Sequence, residues 1–227
     1  MGTLIESITK IFTPENIAFM FEGVKISLLV AICSLLMGIV LGTIAASFRI
    51  SRNPILKGIG RVYVDLIRGT PMLLQLSFIY LGVPMIYQMI TGNYLGMDAL
   101  AVGILGIGIN SGAYVCELIR GAINSIDKGQ WEAGQMLGIS KPVLFFKVIL
   151  PQTIRTVIPA VTNEVTTLVK DTSLVYILGL GDLLRQGKIY ANSLSSLAPF
   201  VVVGVIYFIV ITLISKGCEK IEKSFTL

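Results

Sequence analysis

Long stretches without a charged residue dominate the pattern of hydrophobic and polar positions in this chain. Four of them, each of 18 residues or more, cover residues 26–48, 69–97, 99–116 and 189–215. A helix of about 20 apolar residues crosses roughly 30 Å of hydrocarbon, so each stretch predicts a membrane-spanning helix. A fifth candidate, residues 154–180, has sufficient length but is interrupted by charges. The pattern predicts an all-α integral membrane protein, with five spanning helices in a single domain over residues 1–227.

Composition supports the same class. Hydrophobic residues make up 54% of the chain and charged residues only 14%, whereas soluble domains carry about a quarter. Residues 1–16 lack the apolar core of a cleavable signal peptide, so residues 1–20 are expected to form a short amphipathic lead-in to the first span. The chain has no histidine, and its three cysteines lack metal-site spacing. A metal or nucleophilic site that depends on histidine is excluded.

The distribution of lysine and arginine predicts the orientation, because cytoplasmic connections are enriched in both. Residues 49–61, residues 120–155 and the tail from Lys216 are rich in them. Residues 86–98 contain none, and the connection before the last span has only Arg185 and Lys188. The N-terminus is therefore expected outside and the C-terminus in the cytoplasm, and the net charge of +5 reports topology rather than nucleic-acid binding.

The cytoplasmic connection over about residues 121–151 is longer than a simple turn requires. Ser125 or Asp127 can cap a first short helix, and Gly138 can end it in a left-handed conformation. A second short helix then runs back to the membrane at Pro151. Such a helix lying below the bundle suits a soluble partner, although an amphipathic surface helix without a partner fits the spacing equally well.

This segment resembles the "EAA" loop of ABC importer permeases. The matching positions are Glu132, Ala133, Gly134, Gly138, Val148, Leu150 and Pro151. Gly134 stands where the family pattern has a second alanine, and Val148 where it has isoleucine. The stretches Arg68–Leu76, Ser111–Gly138 and Lys170–Leu183 are similar to permeases of the polar amino acid subgroup.

The resemblance implies a type I ABC importer permease with five spanning helices and a cytoplasmic coupling helix, in the bacterial cytoplasmic membrane. It implies that Glu132, Ala133, Gly134 and Gly138 dock on an ATPase subunit. The implied partners are two ATPase subunits, a second permease subunit that is identical or closely homologous, an extracytoplasmic substrate-binding protein and a small amino acid. Because the chain lacks the phosphate loop G-x-x-x-x-G-K-[ST], we expect it to be no enzyme and to hold no cofactor, with ATP and magnesium bound by the partner ATPase.

The motif Arg-Gly-Thr-Pro ahead of the second span predicts a helix break, because Pro71 lacks a backbone donor and clashes with the preceding turn. Thr70 and Gln75 are candidate substrate-binding residues beside this break. The alternative is an ordinary helix start without a functional role.

Small and charged residues elsewhere predict packing rather than chemistry. Glycines spaced four apart allow helix backbones to approach closely, here at Gly38, Gly42, Gly108 and Gly112. Two pairs of opposite charge at i, i+3 spacing are expected to form ion pairs: Asp65 with Arg68, and Glu117 with Arg120.

Glu164 is the most informative residue of the fourth span. If the helix begins near Ile154, Glu164 lies about 15 Å along its axis, close to the bilayer midplane. A carboxylate there costs on the order of 2.5–3.5 kcal/mol on insertion scales, so it should face protein or water. Thr167 and Asp171 share its face of the helix.

Two interpretations of Glu164 remain open at this point. One is a structural ion pair with Lys170 or Arg68. The other is a substrate contact made together with Asn163, Thr167, Thr70 and Gln75. The Asn163–Glu164 pair resembles that of basic amino acid permeases, which implies a cationic substrate such as arginine, lysine or histidine.

We expect the membrane subunit of an ATP-driven amino acid importer. The alternatives are a secondary transporter that uses Glu164 as an ion or proton relay, and an importer of another polar amino acid such as glutamine. A relay transporter would be favoured by inverted repeats, which the five-span pattern lacks.

Overall fold

The structure is a computed structural model that describes residues 13–226, and within this range it is helical with no strand. The helices are α1 Pro14–Ile50, α2 Pro54–Arg68, α3 Met72–Thr91, α4 Ala99–Ser125, α5 Lys128–Met136, α6 Lys141–Leu178, α7 Leu183–Leu194 and α8 Ala198–Thr226. Among the described residues five helices, α1, α3, α4, α6 and α8, are long and apolar enough to cross a membrane. The prediction of an all-helical chain with five spans is confirmed.

Helices α1 and α4 form the most extensive helix pair, and glycines make their close approach possible. A β-carbon on Gly38 would lie 2.7 Å from Ser111 Oγ, and one on Gly42 would lie 2.6 Å from Val115 Cγ1. A β-carbon on Gly112 would lie 2.9 Å from Leu41 Cβ. Side chains at these positions would push the helices apart, so the predicted packing role of the glycine pairs is confirmed.

Helices α3 and α6 each contain a π-helical turn that ends two residues before a proline. In α3 the turn covers Phe78–Gly82 and precedes Pro84, and in α6 it covers Phe145–Ile149 and precedes Pro151. A proline in a regular α-helix clashes with the carbonyl four residues back. The wider π turn relieves that clash within a continuous helix. The expectation that a separate short helix ends at Pro151 is therefore wrong, because one helix runs from Lys141 through the span.

Helix α5 begins and ends where the sequence predicts. The Asp127 carboxylate accepts a hydrogen bond from the Gly129 N–H at 2.7 Å. At the other end Gly138 has a φ of 72°, and the Ile139 N–H bonds to the Gly134 carbonyl at 3.0 Å. This left-handed glycine turn redirects the chain from α5 into α6.

The opposite end of the bundle contains α7, which the sequence pattern did not predict. Asp182 is fully buried, and its Oδ2 caps α7 by accepting the Leu184 N–H at 2.9 Å. Ser27 of α1 accepts the Leu183 N–H at 3.3 Å, which ties α7 to the first span. Burial raises the pKa of Asp182 to about 6.

The predicted N-terminal lead-in over residues 1–20 overlaps the start of α1. Residues 1–12 of the predicted lead-in lie outside the described residues, and α1 already begins at Pro14. Helix α3 extends through Thr91 and is capped by Gly92, whose φ is 72°, so the connection assigned above to residues 86–98 begins later.

Candidate translocation site

The break between α2 and α3 is held together by the Gln75 side chain. Its Nε2 donates to the Ile67 carbonyl at 2.7 Å and to Thr70 Oγ1 at 2.7 Å, while Thr70 Oγ1 donates to the Leu66 carbonyl at 2.9 Å. These contacts satisfy carbonyls at the end of α2 that the helix itself leaves without partners. The predicted break at Pro71 is confirmed, and Pro71 stands at the start of α3. Thr70 and Gln75 therefore have internal partners that stabilise this corner.

Gln75 also links the corner to α4. Asn110 Nδ2 donates to Gln75 Oε1 at 3.0 Å, and Asn110 is itself buried. The next residue, Ser111, donates from Oγ to Glu164 Oε1 of α6 at 2.9 Å. The adjacent residues Asn110 and Ser111 of α4 thus contact Gln75 at the corner and Glu164 on α6.

The Glu164 carboxylate has no cationic partner. Within residues 13–226 no lysine or arginine nitrogen lies within 4.0 Å of it. Arg68 instead lies 3.8 Å from Glu117 and stacks on the Tyr114 ring at 5.1 Å. Lys170 is exposed. Neither ion pair considered for Glu164 is formed, so Ser111 is its neutral partner in this single chain.

One face of the candidate spanning helix α6 is polar and exposed. Thr156, Asn163, Thr167 and Lys170 recur on this face, and each is exposed. Thr167 donates its hydroxyl to the Asn163 carbonyl at 3.2 Å, whereas the Asn163 side-chain amide has no hydrogen-bond partner among the described residues. Glu164 lies at the edge of this face that is nearer α4. Unpaired polar groups are costly against hydrocarbon, so another subunit or water must cover this face.

A charged cluster lies nearer the end of the bundle that carries α5. Glu117 accepts two hydrogen bonds from Arg120, at 3.1 Å from Nε and 2.6 Å from Nη2. Arg49 of α1 lies 3.2 Å from the same carboxylate. The predicted Glu117–Arg120 pair is confirmed, whereas Arg68 pairs with Glu117 rather than with Asp65.

Sequence reasoning missed Asn110, Ser111 and Arg49 as partners. The signal for the first two was present, because an Asn-Ser pair is unusual inside an uncharged span. Nothing local indicates which helix they contact, since Ser111 and Glu164 are 53 positions apart.

The helix order, the interrupted second span and the α5 turn can be compared with known proteins. The sequence pattern of a family described as the inner membrane component of binding-protein-dependent transport systems matches residues 38–221. The chain belongs to this family.

Sequence relatives of the permease carry two substrate names. An arginine transport system permease protein of Bacillus subtilis is 34% identical over 93% of this chain and 96% of its own length. A glutamine transport system permease protein of Escherichia coli is 36% identical over 91% of this chain and 93% of its own length. The permease therefore belongs among amino acid ABC permeases, and these relatives leave its substrate open.

Solved structures agree on the fold. A chain of an amino acid ABC transporter crystallised with histidines has a TM-score of 0.85 and 30% identity, covering 92% of the permease and 95% of that chain. An inward-facing methionine ABC transporter gives a TM-score of 0.76 at 21% identity, covering 95% of the permease and all of that chain, and shows the fold alone. The type I importer architecture is confirmed.

The α5 segment of the permease displays the residues expected to couple to an ATPase. Glu132 and Ala133 are exposed, as are Met136 and Leu137 at the end of the helix. Gly134 is buried against the side chain of Leu144, and a β-carbon there would overlap it. This contact accounts for glycine at the position where the family pattern has alanine.

Proposed function

We propose that the chain forms half of the translocation path of an ATP-driven amino acid importer, with the polar face of α6 lining the path against a second permease subunit. The exposed polar face formed by Thr156, Asn163, Thr167 and Lys170 is the observation that carries this proposal. A helix with such a face is stable in a membrane only where protein or water covers it. Two subunits facing each other through this surface would enclose a polar route.

Energy for transport comes in this proposal from a separate ATPase pair that contacts α5. The exposed Glu132 and Ala133, followed by exposed Met136 and Leu137, offer a mixed polar and apolar surface on a short, rigidly capped helix. Since α5 and α6 are joined by a fixed glycine turn, displacement of α5 moves the helix that carries Glu164. This assignment places α5 in the cytoplasm, the N-terminus outside, and an extracytoplasmic binding protein at the end that carries α7.

A cationic amino acid is the substrate class that Glu164 favours. The carboxylate has a neutral hydrogen-bond donor, Ser111, and no cation within reach in the described residues. An arriving ammonium or guanidinium would supply the missing charge through charge-assisted hydrogen bonds, which are roughly twice as strong as neutral ones. Asn163, with its unpartnered amide, lies next to it and can contact the rest of the substrate.

Glutamine is the second candidate, and the same contacts allow it. A side-chain amide can donate to Glu164 while Asn163 bonds to its carbonyl. Relatives named as glutamine permeases are as similar to this chain as those named as arginine permeases. The two candidates differ in the charge that Glu164 must meet.

Uptake by the complete transporter in proteoliposomes tests both points. ATP-dependent uptake of labelled arginine that survives an uncoupler would support the importer and exclude an ion-coupled relay through Glu164. In Glu164→Gln we expect arginine uptake to fall by 30-fold or more, in line with roughly 2–5 kcal/mol for removing one partner of a buried charge pair. Glutamine uptake should change little, because glutamine carries no charge for Glu164 to neutralise.

Asp65→Asn is the control, since it removes an exposed acid of α2 that makes no ion pair in the described residues and does not touch the Ser111 contact. Arginine uptake should stay close to that of the wild type in this variant. If Glu164→Gln transported arginine normally, or if the wild type preferred glutamine, the cationic assignment would be wrong while the importer proposal would stand.

A further inference from the structure

A cleft of about 390 Å³ opens between the end of α6 and one face of α7. It is lined by Tyr176, Ile177, Arg185, Lys188, Ile189 and Asn192. The α7 positions follow i, i+3, i+4 and i+7 spacing, so they form a single stripe on that helix. The opposite face of α7, with Leu183 and Gln186, is buried against the bundle. The stripe therefore lies on the open side of α7, beside the end of α6 and at the end of the bundle opposite α5.

Neither cation of this cleft forms an ion pair with an acid in the described residues. Arg185 Nη1 donates to the Tyr176 carbonyl at 3.5 Å, and Lys188 Nζ lies 5.1 Å from the centre of the Tyr176 ring. In the part of the chain that the structure describes, neither has a carboxylate within 4.0 Å. Asp182 interacts electrostatically with Arg185, but it is fully buried and its Oδ2 caps α7. The cleft thus presents positive charge outward.

These cations are exceptional for their location. The loop at residues 92–98 contains no lysine or arginine, and the cation Lys25 near the start of α1 is neutralised by Glu22. Lysine and arginine are depleted from the outer connections of membrane proteins. Two unpaired cations on one face of a short helix at this end of the bundle call for an anionic partner.

Resting on the proposed function, we propose that the Arg185–Lys188 cleft receives an acidic side chain of the extracytoplasmic amino-acid-binding protein. An arginine fork and a lysine ammonium suit a carboxylate, and the Asn192 amide adds a neutral donor. Ile177 and Ile189, which are 40% and 45% exposed, flank the cations with apolar surface, as at a protein interface with a charged anchor.

Occupation of the cleft has a direct route to α6. Both cations contact Tyr176, which lies in the 3₁₀ turn Thr172–Leu178 at the end of that helix. A carboxylate that draws Arg185 and Lys188 toward itself withdraws them from Tyr176. Docking would thereby change the restraint on the helix that carries Glu164.

The test compares Arg185→Gln/Lys188→Gln with the control Lys25→Gln, which removes a cation already paired with Glu22. The transporter, with its ATPase, is placed in nanodiscs of neutral phosphatidylcholine, and the dissociation constant of the cognate binding protein is measured at several salt concentrations. We expect about tenfold weaker binding and a flatter salt dependence in the double variant, from two modest charge contacts. The control should bind like the wild type, and its ATPase activity without the binding protein should be unchanged.

A carbodiimide cross-link identifies the contact directly. The wild type should yield an amide between Lys188 and an Asp or Glu of the binding protein, found by mass spectrometry and missing in the variant. Unchanged affinity in the double variant would overturn the docking site, as would an effect that appears only when anionic lipid is added. If the wild type instead showed no binding-protein-dependent uptake, the proposed function itself would fail.

Discussion

Replacing Glu117 should destabilise the bundle more than any other single charge removal described above. Its carboxylate contacts Arg120 through two hydrogen bonds, Arg49 at 3.2 Å and Arg68 at 3.8 Å. These arginines come from α4, α1 and α2. One acid therefore joins the ends of three helices, and its removal leaves three cations facing one another.

Burial sets the expected magnitude of each contact. The side chains of Glu117 and Arg49 are only 17% and 16% exposed, whereas Arg68 is 42% exposed. Removing one partner of a buried pair costs about 3–5 kcal/mol, whereas exposed pairs contribute below about 1 kcal/mol. Because the site is partly solvated, we expect Glu117→Gln to cost about 3 kcal/mol. Its coupling energy should be about 2 kcal/mol with Arg49 and below about 1 kcal/mol with Arg68.

Reversible unfolding in mixed detergent and SDS micelles measures these free energies. Double-mutant cycles pair Glu117→Gln with Arg49→Gln and with Arg68→Gln. Glu22→Gln, which removes an exposed acid paired with Lys25, is the control and should change stability by less than about 0.5 kcal/mol. A coupling to Arg49 no larger than that to Arg68, or a cost of Glu117→Gln below about 1 kcal/mol, would refute the argument from burial.

Three further predictions concern coupling, pH and orientation. Gly138→Val should insert normally but lose co-purification with the ATPase, because a β-branched residue at positive φ costs roughly 1–2 kcal/mol. Gly138→Asn should retain co-purification, because asparagine tolerates positive φ. Equal loss in both variants would contradict this cause. Asp182 has its pKa raised by burial to about 6, so the folded state binds its proton more tightly than the unfolded state. As the pH falls from 7 to 4, the free energy of unfolding of the wild type should therefore rise by about 2 kcal/mol relative to that of Asp182→Asn. Parallel pH profiles of the two proteins in unfolding titrations would refute this. Cysteines that replace Asn93 and Asn192 should react with an impermeant maleimide in intact cells, whereas a cysteine that replaces Lys141 should not. The reverse labelling pattern would overturn the proposed orientation.

The number of spans could be predicted because it depends on a local property, the absence of charge over the thickness of a membrane. The ends of α5 were predictable for the same reason, since Asp127 and Gly138 act within a few residues of themselves. The continuity of α6 was not, because a proline signals a break locally while the π turn at Phe145–Ile149 accommodates Pro151. Helix α7 was missed because its buried face is supported by contacts with α1 and α8.

The candidate site was predictable only in part. Glu164 stands out because a carboxylate inside an apolar stretch is costly wherever the chain goes. Its partner Ser111, and the contact of Asn110 with Gln75, depend on how α4 lies between α3 and α6. That arrangement is a property of the folded bundle, so the sequence shows that Glu164 needs a partner without showing which residue it is.

The π turns also set the angular phase of the helices that contain them. An α-helix advances by about 100° per residue, so the extra residue of a π turn rotates everything beyond it by about that angle. In α6 the turn Phe145–Ile149 lies between the α5 connection and Glu164. Deleting one residue there would place Pro151 in regular α-helical geometry, where it clashes with the carbonyl four residues back, and would turn the face that carries Asn163 away from its present neighbours. The rotation of the polar face relative to α5 is thus determined by one inserted residue. A variant that lacks one residue of this turn should still insert into the membrane but should not transport.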